Sequence, residues 1–243
     1  MATDLDGKFA GGTAEQRRTL QVALADCSAA LFYVTGRTVE ATRRLMAEAH
    51  LPGPHLLIAD VGTTVVRGED FMPIPELETE LQGTWPGHRA VRESLQTLPE
   101  VIEQPITAPR RVSYTLAPDA ACTLEQGLRW ARNRLRGLDV DVLASGGEYL
   151  DILPGGVNKG TTLQRVLRWI ARDGADVVVA GDSLNDLALF RTGLNGIVVG
   201  DCEPALAERT AGLEAVYQAT APGPAGIMEG LRHFGWLEAS DGE

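Results

Sequence analysis

The chain has 243 residues, of which 44% are hydrophobic, so it is long enough to bury one hydrophobic core or two smaller ones. Its formal net charge of −11 argues against a nucleic-acid partner, because phosphate backbones are bound by surplus Lys and Arg. No segment approaches the roughly 20 apolar residues of a membrane helix, and no signal segment is recognisable. We therefore expect a cytoplasmic protein with no membrane partner. Three widely spaced cysteines indicate neither a disulfide framework nor a zinc site.

Strands and helices alternate along the first part of the chain. Apolar residues recur with helical spacing in two segments, and short apolar runs lie between them. The predicted elements are helix 14–25, strand 30–34, helix 39–49, strand 56–59 and its hairpin partner 63–66. This order is typical of a parallel sheet covered by helices.

A different pattern begins near Glu76 and ends at the Pro/Gly-rich segment 154–156. The predicted elements are helix 85–98, strand 111–116, helix 122–135, and strands 140–144 and 149–153. Helices on a small antiparallel sheet predict an inserted α+β domain over residues 76–156.

The alternation of strands and helices resumes after the inserted segment. The predicted elements are helix 160–171, strand 176–180, helix 184–191, strand 196–199, helix 203–209, strand 215–217 and helix 226–234. Residues 1–75 and 157–243 together therefore predict one α/β core with a mainly parallel sheet.

The most informative segment runs from Gly181 to Asp186. It places Asp182, Asn185 and Asp186 directly after the buried, β-branched run 177–180. Open α/β sheets bind ligands at the carboxyl ends of their strands. These side chains are therefore candidates for the functional site.

A second pair of acids, Asp4 and Asp6, lies in the first turn of the chain. Because the two acids are two residues apart at the end of a strand, their side chains can emerge together, one as nucleophile and the other for proton transfer. Magnesium prefers a few hard oxygen ligands, and Asp4, Asp182 and one backbone carbonyl would suit it. The two motifs together predict a magnesium site.

Two further segments can bind an anion. Thr35 and Gly36 follow the strand 30–34, where a hydroxyl and free backbone N–H groups meet a helix start. Lys159 opens the helix after the Pro/Gly-rich segment, where it would neutralise a transferring phosphoryl group. Each motif alone also fits an ordinary turn or helix start. All of them, however, fall at strand ends or helix starts that one parallel sheet can gather.

With these motifs in this order, the sequence resembles the haloacid dehalogenase superfamily of phosphatases, in the branch with an inserted α+β cap. Within that branch it is similar to the sucrose-phosphate phosphatase group. The resemblance rests on Asp4-Leu5-Asp6, Val34-Thr35-Gly36-Arg37, Val112-Ser113-Tyr114, Leu153-Pro154 with Asn158-Lys159-Gly160, Gly181-Asp182-Ser183 with Asn185-Asp186, and His233-Phe234. It implies a Rossmann-like parallel-sheet core, with residues 76–156 as the cap that sets specificity.

The resemblance also implies a role for each motif residue. Asp4 would be the nucleophile and a magnesium ligand, and Asp6 the general acid/base whose carbonyl also binds the metal. The phosphate-binding residues would be Thr35, Gly36, Lys159 and Asn185, and the remaining metal-site residues Asp182 and Asp186. The substrate-binding candidates of the cap are Arg111, Tyr114, Glu148 and Asp151, each of which also fits a structural role.

Two features depart from the family pattern. Lys8 stands where the family usually has Thr or Ser, and a cation beside the metal is expected to alter affinity or rate. Only three residues precede Asp4, so its strand is short, and we expect reduced stability there.

The implied activity is that of a Mg²⁺-dependent phosphomonoesterase acting on a sugar or disaccharide phosphate through an aspartyl-phosphate intermediate. Sucrose 6-phosphate is the first expectation. Glucosylglycerol phosphate, mannosylfructose phosphate, mannosyl-3-phosphoglycerate and hexose phosphates stay open, because they differ in cap contacts. A non-catalytic sugar-phosphate-binding domain is the alternative of another class. The expected protein partner is a sugar-phosphate-forming glycosyltransferase.

Overall fold

The computed structural model describes residues 1–96, 101–118, 120–145 and 148–238. The strands are β1 Ala2–Thr3, β2 Phe32–Val34, β3 Leu56–Ala59, β4 Thr64–Arg67, β5 Val101–Glu103, β6 Val112–Leu116, β7 Val140–Ser145, β8 Tyr149–Pro154, β9 Val178–Gly181, β10 Asn195–Val198 and β11 Val216–Gln218. The helices are α1 Ala14–Asp26, α2 Val39–Glu48, α3 Pro75–Gln82, α4 His88–Leu95, α5 Leu124–Arg134, α6 Lys159–Trp169, α7 Leu187–Phe190, α8 Pro204–Thr210 and α9 Gly223–His233.

Seven strands form the larger sheet, in the order β11-β10-β9-β1-β2-β3-β4. All neighbours are parallel except β3 and β4, which form the predicted antiparallel hairpin. Successive strand residues face opposite sides, so Val178 and Val179 contribute to two different hydrophobic clusters. Because helices cover both faces, the strands are mostly apolar, as the sequence predicts for parallel strands. The α/β core of the sequence analysis is confirmed.

Strand β1 lies in the middle of this sheet although it has two residues. Ala2 pairs with Phe32 on one side and with Val179 on the other. The Met1 amino group donates to the Ala30 carbonyl at 2.6 Å, and the Asp4 N–H donates to the Ala180 carbonyl at 3.0 Å. Hydrogen bonds to both neighbours therefore place Asp4 at the carboxyl edge of the sheet.

The second sheet has four antiparallel strands in the order β5-β6-β8-β7. Helices α4 and α5 pack on one face, where Val91, Leu95 and Ala131 join its hydrophobic cluster. This is the α+β arrangement predicted for the inserted segment. Strand β5 was not predicted from the sequence, and α4 begins at residue 88 rather than 85. The predicted end of α4 at residue 98 lies outside the described residues.

Helix α3 falls just inside the predicted cap, yet its Leu77 and Leu81 pack into a cluster of the larger sheet. The division of the chain at residues 76 and 157 stays a prediction. The predicted helix 184–191 is also different, because it consists of a 3₁₀ turn, Leu184–Asp186, followed by the short helix α7. Among the described residues, no helix combines the length and hydrophobicity needed to cross a bilayer.

Two consecutive arginines connect the smaller sheet to the larger one. Arg110 donates from Nε and Nη2 to the Thr63 carbonyl, at 3.1 and 2.9 Å, and from Nη2 to Glu78 Oε2 at 2.7 Å. Arg111 donates from Nη1 to the Gly36 carbonyl. Both arginine side chains are buried, so these bonds are shielded from water.

Candidate active site

A cleft of about 610 Å³ opens where the carboxyl ends of β1, β2 and β9 face the smaller sheet. We call the side that belongs to the larger sheet the floor and the side that belongs to the smaller sheet the roof. The floor residues used below are Asp4, Asp6, Lys8, Gly36, Arg37, Asp182 and Asn185, and the roof residues are Arg111, Tyr149 and Asp151. The cleft therefore combines loops that follow three neighbouring parallel strands, as predicted.

Asp4 follows β1 and is buried between two lysines. Its Oδ1 lies 3.1 Å from Lys159 Nζ, and its Oδ2 lies 2.8 Å from Lys8 Nζ. Burial acts to raise the pKa of Asp4, but the two positive charges outweigh it and lower the pKa to about 2. Asp4 is therefore ionised at neutral pH, as a carboxylate nucleophile must be.

Lys159 is the first residue of α6, which Asn158 caps by accepting from the Thr161 N–H at 3.0 Å. The fully buried Lys159 Nζ also donates to Asn185 Oδ1 at 2.7 Å and to Asp186 Oδ1 at 2.6 Å. Burial acts to lower the pKa of Lys159, but the charges of Asp186 and Asp4 outweigh it and raise the pKa. The ammonium has three protons and three oxygen partners.

Asp186 organises the loop after β9. Its Oδ2 accepts from the backbone N–H groups of Asp182 and Ser183, at 3.0 and 3.1 Å, while its Oδ1 receives Lys159. A Cβ at Gly181 would lie 2.6 Å from the Asp186 carboxyl group, so glycine is needed at this close approach. Both Asp186 oxygens are therefore already bonded, in an arrangement that orients Asp182.

Lys8 lies between Asp4 and Asp182, with its side chain 1% exposed. Its Nζ bonds Asp4 Oδ2 and also Asp182 Oδ1. Burial acts to lower the pKa of Lys8, but the charges of Asp4, Asp186 and Asp182 raise it above its usual range. Burial also raises the pKa of Asp182 to about 6, and Lys8 opposes that shift. At neutral pH the site therefore contains a protonated Lys8 and an ionised Asp182.

Asp4, Asp182 and Asp186, here called the carboxylate cluster, have oxygens within 4.8 Å of one another. Hard oxygens so arranged suit magnesium in chemistry and number. Lys8, however, holds one oxygen of Asp4 and one of Asp182, and Lys159 holds one of Asp186. With Lys8 in this position, the residues do not fit a divalent cation between Asp4 and Asp182.

Asp6 lies at the mouth of the cleft and is held by Arg37. Arg37 Nε donates to Asp6 Oδ1 and Oδ2 at 3.0 and 2.8 Å, and Nη2 donates to Oδ1 at 2.7 Å. Both side chains are about half exposed. Arg37 was not among the predicted site residues, although it directly follows the Thr35-Gly36 pair that was.

The predicted phosphate-binding residues of the floor lie together. Thr35 is fully buried, and its Oγ1 accepts from the Arg37 N–H at 3.2 Å. A Cβ at Gly36 would lie 3.7 Å from Asn185 Nδ2, so the Asn185 amide faces the loop after β2. Lys159 bonds both Asp4 and Asn185, so it connects the Asn185 amide to Asp4.

The four predicted roof residues have different positions. Arg111 donates from Nε to Asp151 Oδ1 at 2.8 Å, and both line the cleft. Tyr114 instead packs in the hydrophobic cluster of the smaller sheet, and the exposed Glu148 is not among the cleft residues. The structure therefore brings only Arg111 and Asp151 of these four to the cleft.

Strand alternation explains this difference and identifies a residue that was missed. Successive residues along a strand face opposite sides. Arg111 directly precedes β6 and lies three residues before Tyr114, so the two side chains cannot both point into the cleft. In β8, Tyr149 shares a face with Asp151, and its partly exposed ring does line the cleft. Applying the alternation to the predicted strands would have replaced Tyr114 with Tyr149.

Beneath Arg111 lies Asp60, a buried carboxyl group that sequence analysis did not single out. Thr64 Oγ1 donates to Asp60 Oδ2 at 2.9 Å, and Arg111 Nη1 lies 3.8 Å from Asp60 Oδ1. Burial raises the pKa of Asp60 to about 6, and Arg111 opposes the shift. The sequence offers no signal for it, because Asp60 lies at the end of a strand where a turn is expected.

Comparison with known proteins agrees with this geometry. The protein-family model described as sucrose-6F-phosphate phosphohydrolase matches residues 1–235 of this chain. Glucosylglycerol-phosphate synthase of Pseudomonas anguilliseptica is 37% identical over 238 residues, which are 98% of this chain and 31% of that protein. Sucrose-phosphatase 1 of Nicotiana tabacum is 32% identical over 214 residues, which are 84% of this chain and 50% of that protein. The chain thus spans a half or less of these two relatives.

A solved structure gives the same result over the full length. The X-ray structure of sucrose-phosphatase from Synechocystis sp. PCC6803, in complex with sucrose and phosphate, superposes with a TM-score of 0.88. The two proteins are 26% identical, and the match covers 98% of each chain. The chain therefore belongs to the sucrose-6F-phosphate phosphohydrolase family of the haloacid dehalogenase superfamily.

Proposed function

We propose that this chain hydrolyses the phosphate monoester of a sugar or glycoside, with Asp4 as nucleophile. The observation that carries the proposal is a buried, ionised Asp4 between two lysines, at the floor of a cleft that a small polar molecule can enter. Burial strips water from the carboxylate, while the lysines keep it charged. Such a group can attack phosphorus and form a covalent intermediate.

In the first step, an Asp4 oxygen forms a bond to phosphorus as the bond from phosphorus to the sugar oxygen breaks. In its role as general acid, Asp6 would give a proton to the leaving sugar oxygen, so the sugar departs as a neutral alcohol. Lys159, whose Nζ lies 3.1 Å from Asp4 Oδ1, is a buried positive charge for the transferring phosphoryl oxygens, and the donors around Gly36 and Asn185 would assist it.

In the second step, water attacks the phosphorus of the aspartyl phosphate. Asp6, now ionised, takes a proton from that water, and the bond between phosphorus and Asp4 breaks. Inorganic phosphate leaves, and Asp4 and Asp6 return to their starting protonation states. Because Arg37 holds both Asp6 oxygens, each proton transfer requires that one of them turn away from the guanidinium.

Magnesium, expected from the resemblance, has no step in this mechanism, because Lys8 holds the oxygens that would bind the ion. The cytoplasmic location stays a prediction that cell fractionation would test.

For the substrate, we propose a glycoside phosphate, with sucrose 6-phosphate first. The family and the sucrose-phosphatase relatives support this choice. The roof offers Arg111, Tyr149 and Asp151, which are the kinds of donor and acceptor that sugar hydroxyls need. Glucosylglycerol phosphate and mannosylfructose phosphate fit the same chemistry. Mannosyl-3-phosphoglycerate has less support, because its carboxylate needs a free cation, and Arg110 and Arg111 are already paired.

A second candidate function is binding without turnover, as a sugar-phosphate-binding or partner domain of a glycosyltransferase. Two observations favour it. Lys8 occupies the position between Asp4 and Asp182 where a metal cation would lie. The chain also aligns with 31% of the length of glucosylglycerol-phosphate synthase. Under this proposal, the domain would receive the sugar phosphate that a glycosyltransferase forms.

The test is phosphate release from sucrose 6-phosphate, glucosylglycerol phosphate, mannosylfructose phosphate, mannosyl-3-phosphoglycerate and hexose phosphates, with Asp4→Asn as the blank. Each substrate is assayed in EDTA and in magnesium chloride. Release above the blank with a clear preference supports the phosphatase and identifies its substrate. Calorimetric binding of one sugar phosphate with no release from any would support the second candidate and contradict the first.

A further inference from the structure

We propose that the Lys8 ammonium replaces the divalent cation of this site, so that the site works with a tethered single charge and wild-type protein does not bind magnesium there. This inference deepens the phosphatase proposal and rests on it for its catalytic meaning. Its structural content concerns Lys8, Asp4 and Asp182 alone, and can be tested without turnover.

The position of the Lys8 nitrogen is the first observation. The nitrogen lies 2.8 Å from Asp4 Oδ2 and bonds Asp182 Oδ1, so it bridges the carboxylates that follow β1 and β9. Because Lys159 holds Asp4 Oδ1, a metal shared by these two acids would have to displace a lysine from Asp4. The ammonium is 1% exposed, so water does not compete for its bonds.

The loop that carries Lys8 is built to bring it there. Gly7 has φ +72°, and a Cβ at this position would lie 2.8 Å from Asp182 Oδ2. Glycine thus lets the backbone approach Asp182 while Lys8, four residues after Asp4, turns back over the nucleophile. Lys8 is fixed by the loop geometry rather than resting on the surface of the site.

Charge gives the second argument. The whole chain contains two lysines, Lys8 and Lys159, and both are buried against Asp4. The three ionised carboxylates of the carboxylate cluster and the two lysine ammonium groups together carry one net negative charge. A divalent ion added beside Lys8 would meet that ammonium at close range in a buried site, where repulsion is weakly screened. Magnesium and Lys8 therefore exclude one another.

Catalytically, Lys8 would neutralise Asp4 and Asp182 as a metal would, but with one charge instead of two. The phosphoryl group would then be stabilised by Lys8 and Lys159 together. The proposal predicts phosphate release that EDTA does not reduce. Replacing Lys8 with the usual threonine should admit magnesium and make phosphate release depend on it.

The first experiment measures magnesium binding directly, by calorimetry and thermal shift with magnesium chloride. Wild-type protein should show no saturable magnesium binding at millimolar concentrations. Lys8→Thr should bind magnesium with a dissociation constant roughly tenfold or more below that limit, and its melting temperature should rise on binding. Lys8→Arg keeps the positive charge and serves as the matched control, which should likewise show no saturable magnesium binding. Equal magnesium affinity in wild type and Lys8→Thr would overturn the proposal.

A second measurement needs no variant to be well folded. Lysine labelled at Nζ gives two side-chain signals in wild-type protein, because the chain has two lysines. Neither signal should move with magnesium chloride if Lys8 keeps its place. A saturable shift of the Lys8 signal would mean that magnesium displaces it, and the proposal would be wrong.

The outcomes separate this inference from the proposed function. Wild-type protein that neither binds magnesium nor releases phosphate, from any substrate, contradicts the phosphatase but supports the placement of Lys8. Release that EDTA abolishes supports the phosphatase and overturns the role of Lys8.

Discussion

The floor and the roof of the cleft differ in how their polar groups are satisfied. On the floor, Asp4, Lys8 and Lys159 are buried, and each bonds at least two oppositely charged or polar groups. On the roof, Arg111 and Asp151 pair with each other, and Tyr149 is 38% exposed. The buried charges of the floor form a network around Asp4, whereas the roof combines one buried ion pair with a tyrosine that is open to water.

This difference decides how strongly each side responds to substitution. Removing one partner of a buried charge pair leaves the other uncompensated, which typically costs about 3–5 kcal/mol. A partly exposed group can replace its lost partner with water, so its loss costs much less. The chemistry should therefore depend steeply on the buried charges of the floor, and the choice of substrate should depend gradually on the exposed Tyr149 of the roof.

The largest effect is expected for Asp4→Asn. The amide cannot attack phosphorus, so phosphate release should fall by about 10⁴-fold or more. A phosphate-release assay measures this, and circular dichroism of the variant verifies that the fold is kept. Near-wild-type turnover in a folded Asp4→Asn protein would remove Asp4 from the nucleophile role.

Lys159→Ala should cost about 2–4 kcal/mol in kcat/KM, because the transferring phosphoryl group loses one of the two buried cations that contact Asp4. Its control is Arg168→Ala, which removes an exposed cation from the same helix and should change kcat/KM little. Steady-state kinetics of both variants provide the comparison. If the two losses are equal, the effect is one of general charge and not of the site.

Asp60 links the floor and the roof, and its pKa of about 6 predicts a pH effect. The folded state holds this proton more tightly than the unfolded state, where the pKa is near 3.8. The contribution of Asp60 to stability should therefore be greatest below pH 4, and fall as the pH rises toward 6, by at most about 3 kcal/mol.

Asp60→Asn removes this titration and leaves that of Asp182 in place. The difference in unfolding free energy between variant and wild type, measured by urea denaturation from pH 4 to pH 8, isolates Asp60. A difference that does not change with pH would mean that Asp60 keeps an ordinary pKa.

The smallest effects are expected on the roof. Tyr149→Phe removes one hydroxyl from the cleft and should reduce kcat/KM by about 0.5–1.5 kcal/mol for a substrate that bonds it. Tyr114→Phe, in the hydrophobic cluster of the smaller sheet, should leave kcat/KM unchanged. Kinetics across the glycoside phosphates measure both. Equal losses in the two variants would contradict the assignment of Tyr149 to the cleft.

The core elements and the floor were largely predictable from the sequence. The apolar run that ends in an acid, at residues 177–182, predicted β9 and the position of Asp182, because parallel strands direct their carboxyl ends to one edge of the sheet. The helix start at Lys159 was predicted from the loop before it. Periodicity and turn chemistry are local properties, so they could be recognised without knowing the tertiary structure.

The contacts between side chains could not be predicted in the same way. The bonds of Lys8 to Asp182 and of Arg111 to Asp151 join residues distant in sequence, and depend on loop shape. The missed strand β5 has three residues, and two are exposed, so it lacks the apolar alternation of a strand. The burial of Asp60 follows from the position of Arg111 above it, which no local pattern encodes.

The arginine pair that joins the two sheets has a consequence for motion. Arg110 and Arg111 hold backbone carbonyls at Thr63 and Gly36, so the roof is tethered at the edge of the cleft nearest to β2 and β4. Under the proposed function, the substrate enters and the sugar leaves past these hydrogen bonds. We expect the smaller sheet to rotate about this arginine contact, and we expect the rate of its opening to limit product release.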